Sequence, residues 1–171
     1  MRLDDVHLVT KQLLRSTDAE VSEAEALLET RFPPGFRKWM TTLGAGVLCG
    51  LVRVYRLPDL PLLIVEARAR WREYDFWDEG HDVLPREAVL GSIVVADTLD
   101  GDEAVFHPSN PAGLYLLPRH EARIYRIGAR FEDALEWLCA SGVVSEPVSS
   151  FYFEPFPPGP DTPETPQLDE T

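Results

Sequence analysis

Asp97, Asp100, Asp102 and Glu103 put four carboxylates into seven residues of the stretch A-D-T-L-D-G-D-E-A-V-F. Carboxylates at that density can hold a hard cation or share a proton as an acid–base pair, and each chemistry makes its own demand. A calcium loop of the EF-hand type needs oxygen ligands at positions 1, 3 and 5, glycine at 6 and glutamate at 12. Counted from Asp97, the third residue is Leu99, the fifth Gly101 and the twelfth Pro108, so the register fails. An acid–base pair needs burial that drives two pKa values apart. Asp100-Gly101 between two strand-like runs is instead a hairpin signal. The expectation is a turn carrying solvated, ionised carboxylates, with no catalytic residue, no metal and no cofactor.

The remaining reactive side chains are scattered. His7, His81, His107 and His120 never fall in H-x-x-x-H or H-E-x-x-H spacing, so they read as ordinary surface or core histidines. Cys49 and Cys139 stand ninety residues apart in apolar surroundings, V-L-C-G-L and W-L-C-A-S, and neither belongs to a C-x-x-C pair. They read as reduced thiols in the core. Gly44 and Gly46 follow a helix and precede a strand, the reverse of what a dinucleotide loop requires, and no G-x-S-x-G occurs.

The elements that must position these residues follow from periodicity and turn chemistry. Val6, Val9 and Leu13 predict a short helix through Arg15. A second helix is predicted from about Asp18 to Thr30, with Thr17/Glu20 and Ser22/Glu25 as rival capping boxes and Val21, Glu25 and Leu28 on one face. R-F-P-P-G-F-R-K-W-M breaks that helix and starts another, with Phe36, Trp39, Met40 and Leu43 as its buried stripe and L-G-A-G as its end. Residues 47–57 predict a strand or a tight strand pair. Asp59 and Pro61 open a helix with Ile64, Ala67, Trp71 and Tyr74 on its core face. After Pro85 the pattern turns to strands at Ser92–Thr98, Glu103–His107, Leu114–Leu117 and Arg123–Ile127, an antiparallel meander by its short connectors. Phe131 to about Ala140 predicts a closing helix.

Length and composition bound the whole. With 171 residues and a 44% hydrophobic share, residues 1–143 suffice for one domain. Residues 144–171, rich in proline and acid, read as a tail, with Phe151, Phe153 and Phe156 expected to dock its first part on the domain. No run of 18 or more apolar residues occurs, and M-R-L-D-D-V-H-L lacks the features of a secretory signal, so a cytoplasmic location is expected. The formal charge of −13 is unevenly spread: residues 73–103 hold ten acids against Arg86 alone. Such a surface repels nucleic acid and anionic membrane and attracts a basic protein.

The order of elements resembles that of the SUKH superfamily, the Smi1/Knr4-like proteins. Its N-terminal signature, roughly I-x-x-x-E-x-x-L-G-x-x-L-P-x-x-Y-x-x-F-L, is matched by Val21 with Glu25, then Leu28, Pro33 or Pro34, Phe36, and Trp39 with Met40; Leu43-Gly44-Ala45-Gly46 stands at the glycine turn. G-D-E-A-V-F-H-P, L-Y-L-L-P and R-I-Y-R-I-G-A-R-F-E-D-A-L-E-W-L resemble its later strands and closing helix, so the likeness spans about residues 18–141. The asparagine of the glycine turn is absent, Phe32 stands in the approach to the prolines, and Arg130 replaces a capping serine. The resemblance implies an α+β fold, an antiparallel sheet flanked by helices. It also implies a non-enzymatic bacterial immunity protein that neutralises a polymorphic toxin, nucleases and deaminases being common among these. A regulatory scaffold of the same fold is the alternative, and a hydrolase or metal-dependent enzyme a remote one. For an immunity protein, the acidic segment becomes the expected toxin-binding surface: Tyr74, Asp75, Phe76, Trp77, Asp78, Glu79, Asp82, Asp97, Asp100, Asp102 and Glu103. Its carboxylates would face a basic cleft and its aromatics would anchor the interface.

Overall fold

The computed structural model describes residues 1–73 and 77–157. It opens with a 3-10 turn at Leu3–Asp5 and a two-residue strand, β1 (His7–Leu8), where periodicity predicts a helix. The apolar positions do not share one buried face: Val6 is buried but Val9 is 59% exposed. Backbone bonds from His7 N–H to Phe151 O and from Val9 N–H to Phe153 O hold the segment extended instead.

Helix α1 (Asp18–Leu27) starts at the capping box of Thr17 and Glu20, which resolves the choice between two such boxes. Glu25, in the last turn of α1, is buried against the bend that follows. Its carboxylate accepts from Phe32 N–H at 3.1 Å and from the guanidinium groups of Arg31 and Arg37 at 2.9 Å each. One side chain thereby ties the end of α1 to the Pro-Pro-Gly break and to α2 (Phe36–Thr42). Phe36, Trp39 and Met40 are wholly buried, as their spacing predicts.

A hairpin of β2 (Gly46–Leu48) and β3 (Val52–Val54) leads to α3 (Leu60–Glu73), with Leu60, Ile64, Ala67 and Trp71 inward. Pro85 caps a short helix, α4 (Arg86–Gly91), which the sequence reading passes over; six residues are too few for a visible helical period. The meander then runs through β4 (Ile93–Thr98), β5 (Glu103–His107), β6 (Asn110–Leu117) and β7 (Tyr125–Gly128). Helix α5 (Phe131–Ala140) follows, and β8 (Tyr152–Pro155) ends the described chain.

Among the described residues these elements form an α+β domain on one eight-stranded sheet, ordered β1-β8-β2-β3-β4-β5-β6-β7. The expected all-antiparallel sheet needs one correction. Strands β2 to β7 do form an antiparallel meander, but β8 lies parallel to β1, so the sheet is mixed. Strand β8 pairs with β2 on its other side, and its Phe153 is fully buried with its ring 5.6 Å from that of Trp39. The start of the proline-rich tail is therefore a strand inside the sheet. Phe151 and Phe156, expected to dock beside it, are only half-buried. The Trp39 ring also meets Phe131 edge-on at 5.9 Å, joining α2, α5 and β8 into one aromatic core. Every residue of β4 is buried, which requires cover on both faces of the sheet.

Candidate partner-binding site

The expected hairpin is present, with a turn of a particular kind. Gly101 N–H donates to Thr98 O at 2.9 Å, and Thr98 N–H donates to Asp102 O at 2.8 Å. Gly101 has φ 93 while Leu99 and Asp100 keep negative φ, the pattern of a three-residue loop that ends in a left-handed glycine. A side chain at Gly101 would be strained by that φ and would also meet Arg119.

The carboxylates of this run divide into two populations, and the expectation that all are solvated is corrected. Asp97, 5% exposed, pairs with the Arg53 guanidinium, whose Nε donates to Oδ1 at 2.8 Å and whose second nitrogen donates to Oδ2. Glu103 is buried, pairs with Arg70, and accepts from the buried Trp71 Nε1–H at 2.6 Å. Asp102 is buried too; its oxygens accept from Thr98 Oγ1 at 2.8 Å and from Arg119 N–H at 2.9 Å. Asp97 and Glu103 are directly opposed across β4 and β5, so their side chains share a face. Like charges opposed in that way are destabilising. Arg53 and Arg70 offset this, and Asp97 pushes the neighbouring half-buried Tyr55 phenol further up beyond the rise that burial gives. Arg53 in turn is raised by its hydrogen bond to Asp97. These three acids are structural: their oxygens are committed, and the chain bends around them.

Asp100 remains exposed at the tip beside Leu99, a large apolar side chain that is 58% exposed. Arg119 links this tip to residues 118–124, and that segment meets the second acidic run, since Glu79 N–H donates to Ala122 O at 3.2 Å. Asp78, Glu79 and Asp82, exposed on this second run, thus come to the same end of the sheet as Asp100. Trp77, expected as an interface anchor, is 1% exposed and belongs to the core. Tyr74, Asp75 and Phe76 lie outside the described residues. Of the ten acids in residues 73–103, six are exposed (Glu73, Asp78, Glu79, Asp82, Glu87 and Asp100), three are buried, and Asp75 is not described.

The sequence reading missed the groups that complete this end. A shallow depression of about 230 Å³ beside the tip is lined by Asp100, Asp102, His120, Glu121, Val143 and Val144, among others. Val143 supplies exposed apolar area there and Leu99 supplies it on the tip itself, where an apolar residue inside an acidic hairpin was the one available signal. Two of the carboxylates in this depression are already engaged. Asp102 is committed as described, and Glu121 accepts from Tyr125 Oη–H at 2.7 Å. Among the described residues no group of three or more His, Cys, Asp or Glu could hold a metal ion, and no helix is long and apolar enough to cross a membrane.

No protein-family model matches this chain, and no curated protein matches it.

Proposed function

We propose that the chain is a non-enzymatic immunity protein of the SUKH type, which binds a cognate toxin through the acidic end of its sheet. The observation that carries this reading is that exposed Asp78, Glu79 and Asp82 come to the same end of the sheet as exposed Asp100, whose hairpin tip also exposes Leu99. Separate runs of sequence supply these residues, and a solvated turn has no need of a large exposed apolar group at its tip. A basic toxin cleft built to hold phosphates is the complementary partner: exposed acids steer its approach, and Leu99 gives the patch an apolar contact. The order of elements supports the same reading, with Glu25 of the SUKH-like pattern bridging α1, the proline break and α2.

The test uses the product of the adjacent gene as the candidate toxin, expressed with and without this protein. Relief of toxicity is expected, along with a complex that weakens as salt rises. Reversing Asp78, Glu79, Asp82 and Asp100 to lysine together is expected to weaken binding by about 100-fold or more and to flatten its salt dependence. Unchanged affinity, or toxicity that persists despite a folded protein, would remove the basis for the proposal.

A further inference from the structure

Cys49 and Cys139, far apart in sequence, meet in the fold. Cys139 lies in the last turn of α5 and is fully buried; Cys49 lies in the β2–β3 turn and is 9% exposed. Each thiol shifts the proton affinity of the other, and both are free. The backbone at Cys49 is unusual. Leu51 N–H donates to Leu48 O at 3.0 Å, closing a turn whose two central residues, Cys49 and Gly50, have φ 55 and φ 63. Turns with positive φ at both centres favour Asn-Gly or Asp-Gly. A cysteine there keeps a strained backbone, and strain of this kind clusters at functional sites. The surroundings also tie this pair to the segment joining α5 to β8. Cys49 N–H donates to Tyr152 O at 2.8 Å, Val148 N–H donates to Cys139 O at 3.0 Å, and Cys49 Sγ lies 3.9 Å from Ser150 O.

We propose that Cys49 and Cys139 are a redox-modification site: a dithiol that closes to a reversible disulfide by exchange with a small-molecule disulfide of the glutathione type. The less buried Cys49 thiolate attacks one sulfur of oxidised glutathione, forming a mixed disulfide and releasing one glutathione thiolate. The Cys139 sulfur then attacks Cys49 Sγ and displaces the second glutathione thiolate, which takes up the Cys139 proton as it leaves. Two protein thiols are oxidised and one small disulfide is reduced to two thiols. The division of labour follows the local chemistry. The hydrogen bond from Cys139 outweighs burial and lowers the Cys49 thiol to about 7, while its hydrogen bond to Cys49 and burial push Cys139 up. An attacking thiol near ambient pH is the efficient one. The closed bond would join α5 to the β2–β3 hairpin across a loop of about ninety residues, beside the root of β8.

The test treats the reduced full-length chain with oxidised glutathione under native conditions, blocks remaining thiols with N-ethylmaleimide after denaturation, and reads the intact mass. The expected product is a monomer lighter by two hydrogens that takes up no maleimide, and dithiothreitol should restore two reactive thiols. Cys139→Ala should stop at one glutathione on Cys49. Cys49→Asn, which suits the turn, should resist oxidation while the chain stays folded by circular dichroism. The closed form should melt higher by on the order of 10 °C, the effect of a constraint on a long loop. Two maleimide-reactive thiols after native treatment would overturn the proposal. So would a disulfide that forms only when urea is added, or a disulfide-linked dimer.

Discussion

Glu103 separates stability from recognition, and its removal should be costly in a graded way. The carboxylate is buried, accepts from the Trp71 indole N–H at 2.6 Å, and pairs with Arg70, whose side chain is 50% exposed. Glu103→Ala leaves the indole N–H buried without its acceptor, which costs about 1.5–3 kcal/mol for a hydrogen bond to a charged group. The Arg70 pair adds at most about 1 kcal/mol, because water screens an ion pair with a half-exposed partner. Glu103→Gln keeps an acceptor for Trp71 and loses only the charge, so about 1 kcal/mol is expected. With a urea dependence of about 2 kcal/mol per molar for a chain of this size, the alanine variant should unfold about 1–2 M earlier and the glutamine variant about 0.5 M earlier. Urea titration followed by far-ultraviolet circular dichroism measures both. Equal midpoints for the two variants would refute the assignment of the larger part to the Trp71 bond. A loss in either variant that 1 M salt abolished would show that the ion pair, and not the indole, carries the energy.

Two further outcomes test other parts of the fold. Phe153→Ala empties the site against Trp39 that holds β8 between β1 and β2, so a loss of about 3–5 kcal/mol is expected in the same titration; a loss below about 1 kcal/mol would mean that β8 adds little to the domain. Alkylation of Cys49 should rise with pH through about 7 as its thiolate forms, and Cys139→Ala should move that rise upward by removing the hydrogen bond that lowers it. A pH profile identical in both proteins would show that Cys139 does not set the reactivity of Cys49.

What the sequence makes legible is whatever rests on local pattern. Helix α5 is found over its whole length because Phe131, Leu135 and Leu138 keep strict spacing and Glu132 and Asp133 sit at its N-terminus. Strands β4 and β5 emerge from one hairpin signal, Asp100-Gly101. What stays hidden depends on partners distant in the chain. β1 is two residues long and is a strand only because β8, more than 140 residues later, lies beside it. No local signal marks β8 as a strand either, since F-Y-F-E-P-F sits in a proline-rich context. The same limit governs the candidate site. Asp97, Asp102 and Glu103 look like Asp100 in the sequence; Arg53, Arg70 and Trp71, which bury and neutralise two of them, come from elements thirty and more residues away.

This division changes how the acidic charge of the chain is to be understood. The excess of carboxylates in residues 73–103 suggests one continuous negative surface, but the three acids that flank the hairpin tip, Asp97, Asp102 and Glu103, are consumed by the fold. A charge inside the domain that is paired with arginine contributes little to the field a partner meets at long range. What a basic partner would meet is narrower: Asp78, Glu79, Asp82 and Asp100 at one end of the sheet, with Leu99 exposed on the same hairpin tip as Asp100. The two populations predict opposite signatures. Changing Glu103 should move the unfolding midpoint and leave association in the folded protein nearly unchanged. Reversing the exposed four should do the reverse, slowing association in low salt with little effect on unfolding. A mutation of Glu103 that altered association at constant stability would place that carboxylate in the interface and undo the separation.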